Sequence, residues 1–456
     1  MAMTKFELTR EFVENLKELI DRKDEAAVKE ILQELHPADI AEIYAELDME
    51  DAKYIYFTLD DDTAADVITE LEEEDRRKFL ENLPSEVIAK RFIDNMDSDD
   101  AADVLGELDE SIQQEVLSHL DDISTAGNIA DLLTYDDHTA GGIMAKELIK
   151  VKENWNIPTC IRSMRRQAEE IDEVYYVYVV DNDNVLKGTL SLKRMLLSPA
   201  DSLMKDILND GVISVRVDES TDAVSNIMDK YGLVALPVVD GVGRLVGRIT
   251  IDDVVDVIRE EAGKDYQMAS GITEDVEISD NVWIHTRARI PWLLIGMIGG
   301  ILGSRVVGGF VGVLADHPQL AFFMPLIAAM GGNVGIQSSA IIVQALASGS
   351  MGIDTTWGKL FKEFTIALMN ASVLSLLIFT YNYFVSADIA LTGTVAAAMF
   401  AVVVFASLFG TFVPMVLKRV NIDPAVATGP FVTTMNDIIG MFIYLTFGTL
   451  FYALWM

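Results

Sequence analysis

The sequence predicts a multidomain membrane protein: an all-α helical superhelix domain, a duplicated α/β module and a five-helix all-α transmembrane domain. Three observations predict it. Charge is segregated along the chain, a strand–turn–strand–helix phrase occurs twice, and five long apolar segments end the sequence. At 456 residues the chain exceeds one ordinary core. Half of it is hydrophobic, yet the formal net charge is -37. Residues 1–286 carry 28 Lys and Arg against 66 Asp and Glu, a net of -38; residues 287–456 carry 7 against 6, a net of +1. One half is an acidic soluble module and the other suits a bilayer.

An acidic module of this size repels nucleic acid and anionic headgroups and favours cations as partners. Its apolar residues recur at helical and strand spacing, which argues against plain solvation or disorder. Cys160 stands alone, so neither a disulfide framework nor a thiolate metal site is available. The polar, acidic N-terminus predicts no cleavable signal peptide and a cytosolic first half. No phosphate loop, catalytic triad or metal-hydrolase motif occurs, so the chain is not read as an enzyme.

Residues 1–140 read as a string of short amphipathic helices with related starts: Pro37-Ala-Asp39, Thr63-Ala-Ala-Asp66 and Asp100-Ala-Ala-Asp103. Asp, Ser and Thr at such starts accept bonds from free backbone N–H groups and suit the positive helix end. Their imperfect repetition predicts a helical superhelix. Across residues 144–203 and 204–262 a second pattern occurs twice. Val174-Tyr-Tyr-Val-Tyr-Val-Val180 is a buried-strand run, Asp181 to Asn184 a turn, and Leu186 to Ser191 a returning strand. Val234 to Asp240, a Gly-rich turn, Leu245 to Thr250 and a helix from Asp252 repeat it. These two copies resemble a tandem pair of CBS domains, which are regulatory modules. Residues 263–286 are polar and mixed, and are read as a plug-like helix joining the sensor to the membrane.

Within residues 287–456 the apolar segments run over about 290–314, 319–347, 361–385, 389–417 and 425–455. Each exceeds the roughly 20 residues that cross a bilayer's hydrocarbon core. Arg287 and Arg289, Lys359 and Lys362, and Lys418 and Arg419 all fall on the side of the N-terminal module. Short-loop basic residues stay inside, so the expected topology is N-terminus in and C-terminus out, in a plasma membrane. Arg305 has no role in this scheme beyond snorkelling to the outer surface.

An odd number of spans offers no internal inverted repeat, which favours a two-fold dimer with a path near its axis. Asp437 stands deep in the last segment, where a charge costs several kcal/mol unless it meets water or a cation. The plainer reading is a protonated Asp hydrogen-bonded between helices. Gly429-Pro430 loosens the helix start and frees carbonyls, and Thr433, Thr434 and Asn436 add oxygens. Gly331-Gly332-Asn333-Val-Gly335-Ile-Gln337 in the second segment allows close backbone approach, with two amides on one face. Helix–helix adhesion explains those amides equally well. Oxygen ligands without His or Cys fit a hard cation, magnesium better than calcium; spacing does not separate magnesium from manganese or cobalt.

By its domain order and by Arg289-Ile-Pro291, Met330-Gly-Gly-Asn333-Val-Gly335-Ile-Gln337, Asp423-Pro-Ala425 and Gly429-Pro-Phe-Val-Thr-Thr434…Asp437, the chain resembles the MgtE family of magnesium transporters along essentially its whole length. The resemblance implies a homodimer with one pore at the subunit interface and Mg2+ as both substrate and regulator. Asp437 is then the selectivity carboxylate, Gly332, Asn333, Thr433 and Thr434 line the path, and Asp423 is the acid of the cytoplasmic mouth. Asp99 and Asp103 match the helical domain's sensor pair; Asp253, Asp256, Glu261 and Asp265 match acids from the second CBS copy to the connecting helix. Three departures are visible. Lys264 stands where the family often has an acid, and Ile336 replaces a commonly polar residue. The nucleotide step Thr250-Ile-Asp-Asp253 of the second copy is Ser191-Leu-Lys-Arg194 in the first, which weighs against ATP. The expected mechanism is a channel that closes when Mg2+ bridges the acidic domains. The alternatives are a cation-coupled secondary Mg2+ transporter and a non-transporting, membrane-anchored cation sensor.

Overall fold

Half of the short acidic phrases that become helices begin with a side-chain cap. In a computed structural model, ten α-helices, α1 to α10, occupy Arg10 to Leu132. Asp24, Asp48, Asp60 and Asp122 each accept a hydrogen bond from a backbone N–H of the following first turn. The structure describes all residues except 1–5, 45, 169–170, 172–173, 274–275, 277–280, 348–355, 387, 421, 428 and 456. The chain divides into two compact units, Met1–Ile258 and Arg259–Met456.

In the first unit each copy of the α/β repeat is a three-stranded sheet. The first has β1 (Ile149–Lys152), α11 (Ile157–Gln167), β2 (Val177–Val180), β3 (Leu186–Leu190), α12 (Leu192–Leu197) and α13 (Met204–Ile207). The second has β4 (Val215–Arg216), α14 (Thr221–Tyr231), β5 (Ala235–Val239), β6 (Leu245–Thr250) and α15 (Ile251–Ala269). In both, the first strand pairs in parallel with the second and the second antiparallel with the third. The short first strands, β1 and β4, escape the sequence reading, because two to four residues show too little alternation to mark a strand. Bonds between the copies run from the Leu186 N–H to the Gly243 carbonyl and from the Leu245 N–H to the Asn184 carbonyl, both 3.0 Å. The helical domain and the second copy share one buried core, from Leu16 through Phe79 and Leu105 to Val238 and Val254.

The second unit holds five helices long and apolar enough to cross a membrane. Four are α18 (Met324–Ala347), α19 (Thr356–Val385), α20 (Ile389–Arg419) and α21 (Pro430–Trp455). The first is α16 (Val282–Gly309), followed by the short α17 (Val311–Asp316). Two expectations are corrected. The connector over 263–286 is not one helix: α15 runs unbroken from the second repeat to Ala269, and Gly271 takes a φ of +83°, which only glycine adopts without strain. Helix resumes at Val282, capped by the Asn281 side chain, and continues through Pro291 into the first span. The last span begins at Pro430, after a 3-10 turn over Pro424–Ala427. Proline has no N–H to lose at a first helical position, so it starts this helix rather than loosening its interior.

Candidate functional site

Glycines set the helix contacts around Asp437. A Cβ added at Gly332 on α18 would lie 3.2 Å from the Thr433 methyl and 3.8 Å from Asp437 Oδ1. Thr433 and Asp437, one turn apart on α21, therefore share the face that meets Gly332. Asp437 is half-buried and has no protein hydrogen bond among the described residues, so the interhelical bond of the plainer reading is not seen. Beside this contact, Asn333, Ile336 and Gln337 form an exposed face of α18.

The other oxygens of the motif point elsewhere. The Thr433 hydroxyl donates back to the Gly429 carbonyl at 3.2 Å. The Thr434 methyl lies where a Cβ on Gly299 of α16 would stand, so Thr434 faces the first span. Asn436, 1% exposed, is pressed against Gly331 and Gly335 in the bundle interior. Asp423 is exposed and accepts the Ala425 N–H at 2.8 Å. The turn after α15 meets the start of α21 instead: a Cβ on Gly271 would lie 2.7 Å from Pro430, and one on Gly429 would lie 2.4 Å from the Ala269 carbonyl oxygen.

A second carboxylate, near the start of the third long apolar helix, carries no local sequence signal. Glu363, eight residues into α19, accepts hydrogen bonds from Ser338 of α18 at 2.7 Å and from Ser407 of α20. The two hydroxyls are 3.1 Å apart and buried. Lys359 and Lys362 mask Glu363 in any count of charge, and its serine partners lie 25 and 44 residues away.

In the first unit, acids converge on α8 (Ser98–Gly106). Asp97, Asp99 and Glu147 each offer an oxygen within 4.8 Å of the others. Glu147 is fixed by the Ser98 hydroxyl at 2.7 Å and the Ser98 N–H at 3.2 Å. Asp253 accepts the Thr250 N–H at 2.7 Å and the Thr250 hydroxyl at 2.8 Å. Loss of hydration, then repulsion from Asp253, Asp100 and Asp97, pushes Asp99 well above the usual carboxylate range. Desolvation first, then repulsion led by Asp253 at Asp100 and by Asp100 at Asp103, raises both to about 7, although both keep solvent access at the rim of the cluster. Asp253 rises to about 6, desolvation outweighing its bonds from Thr250. Arg248 stands 3.7 Å from Asp97, and the Arg76 charge offsets part of the rise at Asp100 and Asp103. Hard oxygens at this density, held above their normal pKa, suit a divalent cation.

Asp99, Asp103 and Asp253 are thus brought together, and Asp97, Asp100 and Glu147 join them. Glu147 follows α8 by some forty residues, beyond any local pattern. Asp256 is exposed on α15, and Glu261 and Asp265 are half-buried five and nine residues further along that helix. Lys264 is ion-paired with Glu260 one turn back.

Five long apolar helices with a carboxylate in the last, joined in sequence to a regulatory α/β pair, define a multi-pass membrane transport protein. Comparison with known proteins identifies the kind. Residues 324–447 match the divalent cation transporter domain of MgtE, residues 35–138 the MgtE intracellular N domain, and residues 140–200 and 204–260 CBS domains. The magnesium transporter MgtE of Enterococcus faecalis is 34% identical over 327 residues, 72% of each chain. That of Thermus thermophilus is 34% identical over 331 residues, 71% of this chain and 72% of its own. A solved structure of the cytosolic domain of the Mg2+ channel MgtE in complex with ATP covers 54% of this chain and 99% of that one, with 33% identity and a TM-score of 0.51. The chain belongs to the MgtE family, which consists of transporters rather than enzymes.

Proposed function

We propose that this chain is a magnesium-selective channel of the plasma membrane, with its pore at a homodimer interface and its gate closed by Mg2+ bound between acidic cytoplasmic domains. One observation carries the pore: a half-buried Asp437 with no protein hydrogen bond among the described residues, beside the exposed Asn333 and Gln337 of α18. A buried charge without a protein partner needs water or a cation, and a two-fold mate would complete a ring of oxygens around a hydrated ion. Asp437 selects; Thr433, the Gly332 backbone and Asn333 line the approach; Asp423 attracts ions at the cytoplasmic mouth. Thr434 acts by holding α21 to α16. The basic loops put the N-terminal domains inside and the C-terminus outside.

The cluster of Asp97, Asp99, Asp100, Asp103, Glu147 and Asp253 is the regulatory site; Asp256, Glu261 and Asp265 are further acids of α15 that the resemblance assigns to regulation. Like charges ~4 Å apart repel by about 4 kcal/mol at an effective dielectric near 20. Bound Mg2+ removes that repulsion and favours the compact form, provided it binds that form more tightly. The end of α15 meets Gly429 and Pro430, two turns before Asp437, which gives the sensor a mechanical route to the pore helix. ATP, bound by the relative's cytosolic domain, would use the Thr250–Asp253 step and so contend with a cation for Asp253.

Single-channel recording from full-length protein in bilayers tests the reading. Asp437→Ala abolishes selective Mg2+ current, and Asp99→Asn with Asp103→Asn leaves current intact but weakens inhibition by internal Mg2+. Unchanged selectivity without Asp437 overturns the pore. A coupled-carrier reading draws on Glu363, a second carboxylate in the long apolar helices; Mg2+ flux driven by a sodium or proton gradient alone would favour it.

A further inference from the structure

The geometry points to a phospholipid site at Arg305, where the guanidinium takes the phosphate and the groove between α16 and α21 takes an acyl chain. Arg305 is the basic residue that the loop pattern leaves over. The other six in residues 287–456 lie at the ends of spans on the inner side. Arg305 follows Arg289 by sixteen residues, about 24 Å along a helix, which leaves it a few ångströms short of the far side of a ~30 Å hydrocarbon core. An arginine side chain covers that remainder by snorkelling.

No carboxylate of the described residues pairs with Arg305, although a charge at this depth ordinarily finds a partner. What lies beside it is apolar. A groove of about 460 Å³ is walled by Leu302, Val306 and Phe310 on one side and by Ile438 and Phe442 on the other. Phe310 and Phe442 meet edge-to-face, with ring centroids 6.0 Å apart, on the outer side of Arg305, which leaves the stretch beside Leu302 and Ile438 for a chain directed into the bilayer. A planar fork of donors in the wall of an apolar trough matches a phosphodiester with a hydrocarbon tail. It fits free phosphate poorly, since free phosphate has nothing to place in the trough. It also fits a second copy poorly, because a protein face brought to the trough would have to supply an acid, and the described ends of the spans on that side offer only Asp316 and Asp388. Asp388 already accepts the Gln319 side chain and the Tyr452 hydroxyl.

Native mass spectrometry of the full-length protein tests this, with phosphatidylglycerol and phosphate-free digalactosyl diacylglycerol titrated separately. Wild type should retain phosphatidylglycerol at least tenfold more readily than the galactolipid. Arg305→Gln should remove that preference, and Val306→Trp, which fills the trough and keeps the charge, should lower phosphatidylglycerol retention as well. Equal retention of the two lipids by wild type, or an unchanged preference in Arg305→Gln, overturns the site. Displacement of phosphatidylglycerol by millimolar inorganic phosphate alone would make the ligand a free anion. An intersubunit disulfide between Leu302→Cys and Phe442→Cys would show that a second copy occupies the trough, and either result rejects the lipid.

Discussion

Asp437 and the glycines around it show how single residues divide the work in the bundle. Asn436 and Asp437 are neighbours with opposite surroundings: one is sealed against Gly331 and Gly335, the other is open beside Gly332. Asp437→Asn keeps the volume and removes the charge. A charge-assisted contact is worth about 1.5–3 kcal/mol, so Mg2+ flux into proteoliposomes should fall roughly 10- to 100-fold, with protein yield unchanged. Gly410 is the opposite test. A Cβ there would sit 2.3 Å from the Gly335 carbonyl oxygen, a backbone atom that cannot swing aside. Gly410→Ala should therefore destabilise by about 1–3 kcal/mol, as overpacking does, and lower the midpoint of thermal unfolding in detergent. Gly300→Ala is the control, because a Cβ at Gly300 meets nothing within 4 Å.

Between elements, contacts of low sequence signal hold the bundle together. Glu363 joins α18, α19 and α20 through two buried serines, and α18 carries the Gly332–Asn333 motif that meets Asp437. Glu363→Ala leaves one of the two hydroxyls without an acceptor, because the pair, 3.1 Å apart, can make only one bond between themselves, at about 1–3 kcal/mol for the unsatisfied group. It should lower thermal stability and blunt Mg2+ selectivity together, whereas Glu363→Gln, which keeps an oxygen acceptor, should retain most of both. Equal stability of Glu363→Ala and wild type would show that the clamp bears no load. These contacts also mark the limit of what is legible in the sequence. The five apolar helices, the duplicated repeat and the depth of Asp437 are periodic or compositional features, and periodicity is written locally. The convergence of Asp97 and Glu147, the Ser338–Glu363–Ser407 clamp and the outward turn of Thr434 depend on which helix faces touch, and no window of residues contains that. The break in the connector has a local cause. Polar, mixed composition suits a helix, and a single left-handed glycine at 271 is enough to break it.

At the scale of the whole molecule, charge is distributed so that the soluble half resists its own compaction. Asp100 and Asp103 stand at about 7 and Asp253 at about 6, against 3.8 for a free aspartate. A carboxyl raised by folding binds protons more tightly when folded than when unfolded. Its penalty is therefore full above about pH 7 and is relieved as pH falls through 7 to 6 toward the unfolded value. A divalent cation between the same oxygens relieves the same penalty, so protons and Mg2+ should substitute for one another. Limited proteolysis of the full-length protein reads this out. Without Mg2+, the first half should be cleaved more slowly at pH 6 than at pH 8. Millimolar Mg2+ should slow cleavage strongly at pH 8 and weakly at pH 6. Asp100→Asn with Asp103→Asn should flatten both dependences, because neutral amides neither titrate nor attract the ion. Exposed charges are screened within about 8 Å at physiological salt, whereas a cluster shielded by protein is screened less. Raising sodium chloride should therefore reproduce only a small part of the Mg2+ effect. Protection by salt equal to that by Mg2+ would mean that diffuse repulsion across the acidic half governs its compaction, and the cluster at α8 would lose its standing as a site.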